Sequence, residues 1–149
     1  MENVFDLSHL DKLSSNAKPI WGKMTSQHMV EHLIEAVKLS NGKIELTECM
    51  NPPEKLPLMK RFLMSTRPLP KNFVNTVIGA DLKPLIYQSL EEAIEHLHLE
   101  LSQIDEYFKN NPGSTPMNPT FGPLNKEEWL QFHRKHFQHH FAQFGLTEE

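Results

Sequence analysis

Residues 125–146 read NKEEWLQFHRKHFQHHFAQFGL, and the fold turns on how that run is read. Asn125 with Glu128 three residues later makes a capping box, the reciprocal pattern that opens a helix. With successive residues turned by about 100°, Trp129, Leu130, Phe137, Phe141 and Phe144 share one side. Gly145 followed by Leu146 fits a glycine C-cap with its apolar follower. The spacing therefore predicts a helix over 126–144.

That helix carries His133, His136, His139 and His140, four of the nine histidines in the chain. His133 and His140 fall on its apolar side and His136 at the edge near Trp129. His139 projects away with Lys135 and Gln131, toward expected solvent. His136 and His140 are four residues apart and about 6 Å apart along the axis, so both imidazoles can reach one ion.

Three further helices follow from the same kind of signal. Residues 26–40 form one, with Thr25 as N-cap and Gly42 close behind its end. Residues 90–108 form another, with Ser89 and Glu92 in a capping-box pattern. Leu90, Ala93, Ile94, Leu97, Leu101, Ile104 and Phe108 make its apolar stripe. Residues 4–14 form a short one, placing Val4, Phe5, Leu7, Leu10 and Leu13 near one face. A further short helix is expected over 55–64, between flanking prolines.

Strand signals are nearly absent, apart from a weak alternation over 73–78. Long amphipathic segments of this kind predict an all-α fold, an antiparallel four-helix bundle in a single domain over residues 1–149. Two irregular stretches, 41–56 and 110–124, interrupt it. The second has four prolines and two glycines, and a loop of that length is more often functional than idle. Phe121 and Gly122 are its expected inward elements.

Composition bounds the function. The chain has 149 residues, enough to bury roughly two thirds of its unfolded surface in one core. Its formal charge of −4 and the lack of a Lys/Arg cluster argue against a nucleic-acid partner. No run of eighteen apolar residues suggests a membrane span, and the first residues lack the pattern of a secretory leader. The single Cys49 cannot form an intramolecular disulfide. A cytoplasmic location is the expectation.

The second helix repeats the histidine arrangement more faintly. His32 lies beside Met29 and Ala36 at the rim of the apolar stripe, and His28 sits a turn earlier toward the polar side. Facing helices of a bundle build metal sites from inward side chains. His32 with His136 and His140 would make a three-histidine set with an open position, the arrangement of a catalytic divalent metal, most simply zinc. Nickel or copper can displace a native ion in vitro, so affinity alone does not name the metal.

Glu35 follows His32 by three residues and is the candidate base, while Glu31 points further to solvent. His9, His28, His96, His98, His133 and His139 read as packed or solvated histidines. Met24, Met29, Met59 and Met64 read as core packing, and Trp21 and Trp129 as large core residues.

Three segments, PIWGKMTSQHMVEHL (19–33), PLIYQSLEEAIEHL (84–97) and NPTFGPLNKEEWLQFHRKHFQHHFAQFGL (118–146), resemble a branch of the DinB-like (DinB/YfiT-like) superfamily. The resemblance implies an antiparallel four-helix bundle in which one histidine of the second helix and an HxxxH pair of the last helix bind a divalent metal. Those positions are His32, His136 and His140. It also implies metal-dependent hydrolase or thiol S-transferase chemistry, since relatives include bacillithiol and mycothiol S-transferases and maleylpyruvate isomerase. A small-molecule substrate, a small thiol and a homodimer are the expected partners. The competing expectation is a non-catalytic bundle that binds a metal or small ligand for sensing, stress response or interaction. Coordination separates the two. A fourth protein ligand, His28 or His133, would close the site and make it structural.

Overall fold

The computed structural model describes residues 5–71 and 82–147. The chain is mostly helical, with helices α1 (Ser26–Ser40), α2 (Leu56–Met64), α3 (Leu90–Ser102), α4 (Ile104–Asn110) and α5 (Lys126–Gln143), and one two-stranded ribbon. No helix among the described residues is long and apolar enough to cross a membrane.

Capping residues set the boundaries of the two helices that matter most. The Thr25 hydroxyl accepts the His28 N–H at the start of α1, and Gly42 turns the chain at a φ of 84° just past its end. At α5, Asn125 accepts from Glu128 N while Glu128 accepts from Asn125 N, so both halves of the capping box form. At its other end Gly145 donates to Ala142 O and Leu146 to Phe141 O, a Schellman closure. Ser89 caps α3 as expected, but the Glu92 carboxylate takes the N–H of Gln88, one residue outside the cap.

Two expected helices take different forms. The run expected over 4–14 is a 3-10 helix, Leu7–Lys12. Leu7, Leu10 and Leu13 are all buried, and a strict spacing of three matches the three-residue turn of a 3-10 helix better than an α-helical stripe. The continuous helix expected over 90–108 is divided at Gln103 into α3 and α4. There Ser102 returns its hydroxyl to Leu99 O and Gln103 N–H bonds Glu100 O, tightening the last turn. The apolar stripe continues across the break, with Leu90, Leu97, Leu101, Ile104 and Phe108 all buried. The helix expected over 55–64 forms as α2, preceded by a 3-10 turn, Pro53–Lys55. Val4 and the alternation over 73–78 lie outside the described residues.

α1 packs against both α3 and α5, and α2 packs against α5. Met29, Val30, Leu33 and Val37 of α1 meet Leu97 and Leu101 of α3 and Trp129 and Phe137 of α5 in one core. Met64 departs from the expected core packing and is about half exposed. The stretch 110–124 closes as strands β1 (Met117–Asn118) and β2 (Gly122–Pro123), paired antiparallel. Asn118 Oδ1 accepts the N–H groups of Thr120 and Phe121, and Trp129 Nε1 donates to Pro116 O, pinning this loop onto α5. Phe121 is thereby buried, as expected of it.

A polar clasp holds α1 to α3. Glu100 is buried, its Oε1 accepting Asn41 Nδ2 and its Oε2 accepting Lys43 Nζ, each at 2.9 Å. Burial pushes its carboxyl pKa up, but Lys43 and Asn41 outweigh this and hold it below the usual value. Glu100→Ala would remove the side-chain acceptor of Asn41 Nδ2, which keeps only its bond to the Glu100 carbonyl, and would strip Lys43 of its partner, at a cost of about 1–3 kcal/mol at neutral pH in urea unfolding. Because the folded carboxyl is the more acidic, that contribution is present above 4.5 and is lost as pH falls below it. The gap between variant and parent therefore narrows in acid.

Candidate metal centre

His32 projects from the middle of α1, and His136 and His140 from successive turns of α5. Their Nε2 atoms converge. His136 Nε2 lies 2.9 Å from His32 Nε2 and 3.1 Å from His140 Nε2. The three rings meet edge to face, with centroids 4.7 to 4.9 Å apart. Two zinc–nitrogen bonds of ~2.05 Å at a tetrahedral angle put their nitrogens ~3.3 Å apart. The observed separations fall within about 0.4 Å of that spacing, so three imidazoles from two helices can hold one metal ion.

The orientation of His140 is fixed from behind. Gln143 Nε2 donates to Trp21 O at 2.8 Å, which turns its Oε1 toward His140 Nδ1, also at 2.8 Å. An amide oxygen only accepts, so His140 carries its proton on Nδ1 and offers a bare Nε2 to the centre. The Phe132 ring stacks on the His136 imidazole, with centroids 5.0 Å apart. The 20–22 segment that holds Gln143 is itself tied to α5, since Ile20 N donates to Gln143 O. Gly22 sits at a φ of 83°, and a Cβ there would meet Gln143 Nε2 at 2.7 Å.

Burial keeps these imidazoles neutral. Loss of hydration lowers the His32 pKa to about 4, against the pull of Glu35, with Lys83 and His139 adding to the fall. His136 is pushed well below 6.5, first by burial and then by His140 and His32, and His140 likewise, first by burial and then by His32. Neutral imidazole is the form that ligates.

The centre opens on a cavity of about 500 Å³ between α1, α5, the 21–24 segment, residues 82–87 and the 119–121 turn. Glu31 and Glu35 line it. Glu35 Oε1 is bonded to Lys83 Nζ. Glu31 points inward across the 82–87 segment and not to solvent as expected. Its Oε1 accepts Ile86 N and its Oε2 accepts Tyr87 N.

The remaining histidines sort clearly. His133 is fully buried, and its Nε2 lies 2.8 Å from Ser40 Oγ, outside the three-histidine group. His28 lines the cavity but keeps its Nδ1 on Thr25 Oγ1 at 2.7 Å. Among the described residues neither joins the ligand group. His139 departs from expectation. It is buried on the cavity wall beside Trp21 and is not in solvent. Lys135 is likewise buried, its ammonium donating to the carbonyls of Phe62 and Arg67. His96 stacks on Tyr87, and His9 packs on Phe141. Sequence reading did not single out Gln143, although its place three residues after His140 puts it on the same face of α5.

A mainly helical protein with three inward histidines able to hold a metal ion is the class that fold and site define. The chain belongs to the family described as protein of unknown function (DUF1569), whose model matches residues 55–147. That span carries His136, His140 and Gln143, while His32 lies before it. No curated protein and no solved structure matches the chain.

Two outcomes follow from the geometry. Gln143→Leu should weaken metal binding about ten- to a hundredfold in competition with a chromophoric chelator, and Gly22→Ala should act in the same direction by displacing Gln143. Metal-free chain should also lose stability on acidification. The folded imidazoles bind protons less readily than unfolded ones at 6.5, so stability falls as pH drops from 6.5 toward about 4. Urea midpoints across that range measure it, and His32→Gln should flatten the slope.

Proposed function

We propose that this chain is a divalent-metal-dependent enzyme of hydrolase or thiol S-transferase type, with His32, His136 and His140 holding the ion. The observation that carries the reading is the convergence of three Nε2 atoms, with no fourth ligand among the described residues, on the wall of a roomy cavity. Structural sites are closed by four protein ligands, whereas catalytic sites keep a position open. Zinc fits an all-imidazole set most simply, and nickel competes for it.

A bound divalent ion would supply a coordinated water with a pKa near ~7, or hold a substrate thiolate in the open position. The protein's own residues do the rest. Gln143 keeps the His140 proton on Nδ1. Phe132 and Phe121 keep bulk water from one side of the cavity. Glu35, on the same wall and held by Lys83, is the group assigned to accept the proton of the attacking water or thiol.

The architecture that goes with this reading is a DinB-like antiparallel four-helix bundle. The support for it is the packing of α1 between α3 and α5, with α2 laid on α5, and the resemblance of the segments that bear the three histidines.

Elemental analysis of untagged protein, purified without a nickel column, tests the proposal. Wild type should carry close to one ion per chain, and His32→Ala and His136→Ala should each lose it while the helical circular dichroism survives. Glu35→Gln should keep the ion and lose about a hundredfold in turnover on whichever ester, amide or thiol-transfer substrate the wild type accepts. Metal retained without turnover on any of these would favour a storage or sensing bundle. Metal-free, fully folded wild type would contradict the reading outright.

A further inference from the structure

Charge at the centre does not balance. Three neutral imidazoles offset none of the two positive charges of a divalent ion. Among the described residues the ligand group contains no carboxylate and no thiolate. The carboxylates that line the cavity are both engaged elsewhere, Glu35 with Lys83 and Glu31 with the backbone N–H groups of Ile86 and Tyr87. An uncompensated charge in a low-dielectric site is costly, so the open position selects for an anion.

The walls specify what the anion is attached to. Leu39 and Leu69 line the cavity together with Phe132 and Phe121, and these side chains give the lining its apolar character. A volume of about 500 Å³ lies within the range of pockets built for a whole small molecule. Hydroxide or acetate would meet the charge requirement and leave most of that apolar wall uncovered.

We infer that the cavity takes an apolar molecule bearing one anionic, metal-ligating head. The head occupies the open position, and the body lies against Leu39, Leu69 and Phe132. The inference rests on the metal-centre reading above and adds the chemical class of the ligand to it. It predicts a dependence on chain length that a purely inorganic site lacks, since each buried methylene strengthens binding by up to about fourfold.

Cobalt(II)-loaded full-length protein provides the test, because cobalt reports changes in its coordination through its visible absorption. The protein is titrated with acetate, hexanoate and 1-hexanol. Hexanoate should shift the cobalt band with a dissociation constant at least about tenfold below that of acetate, the four added methylenes allowing more. Hexanol, with the same body and no anionic head, should leave the band unchanged. Leu69→Ala, and separately Phe132→Leu, should narrow the hexanoate-to-acetate ratio. Equal affinity for acetate and hexanoate in cobalt-loaded protein would overturn the ligand class and leave the metal centre standing. A response to hexanol equal to that of hexanoate would overturn the anionic head. Failure to take up cobalt at all would overturn the metal centre, and this inference with it.

Discussion

Three imidazole nitrogens gathered inside a folded chain, with His136 Nε2 2.9 Å from that of His32 and 3.1 Å from that of His140, impose a constraint that shapes much of the surroundings. Burial makes a charge on any of them costly, and a second charge would be repelled by the first, so all three are held neutral. Neutral imidazoles present lone pairs, and lone pairs aimed at a common point repel unless something shares them. A hydrogen placed between two nitrogens can serve one pair. A cation serves all three at once, which makes the group an acceptor of metal in a way that scattered histidines are not.

The rest of the fold positions that group. α1 and α5 are capped at both ends, so the register of His32 against His136 and His140 is set by local chemistry as well as by packing. Trp129, Phe132 and Phe137 fill the space beside the histidines on α5, and Met29 and Leu33 do the same on α1. The 20–22 segment reaches Gln143 and through it His140. Glu31 holds residues 86–87 over the opposite side of the cavity, and the ribbon of β1 and β2 closes a third side with Phe121.

The extent to which this was legible in the sequence follows from which interactions are local. The start of α5 and the whole of α1 could be read because their caps and apolar stripes lie within a few residues of one another. His32, His136 and His140 could be ranked because face geometry depends only on spacing. The 3-10 form of residues 7–12 is not legible in the sequence, because a spacing of three suits a 3-10 turn as well as an α-helical face. The break at Gln103 was hidden by an apolar stripe that runs straight through it. The burial of His139 and Lys135 is not legible either, because an amphipathic pattern cannot reveal what covers the polar side. The carbonyls of Phe62 and Arg67 bury Lys135, and Trp21 packs on His139. The role of Gln143 depends on a backbone carbonyl 122 positions away, which no periodicity can indicate.

X-ray absorption at the zinc edge of protein loaded with one equivalent of zinc tests the central claim most directly. A single ion shared by His32, His136 and His140 with one position open should give a first shell of about four nitrogen and oxygen neighbours near ~2.0 Å. The multiple-scattering pattern should require three imidazoles, falling to two in His32→Ala. A sulfur neighbour near ~2.3 Å, a shell with one imidazole or none, or an unchanged pattern in His32→Ala would contradict it.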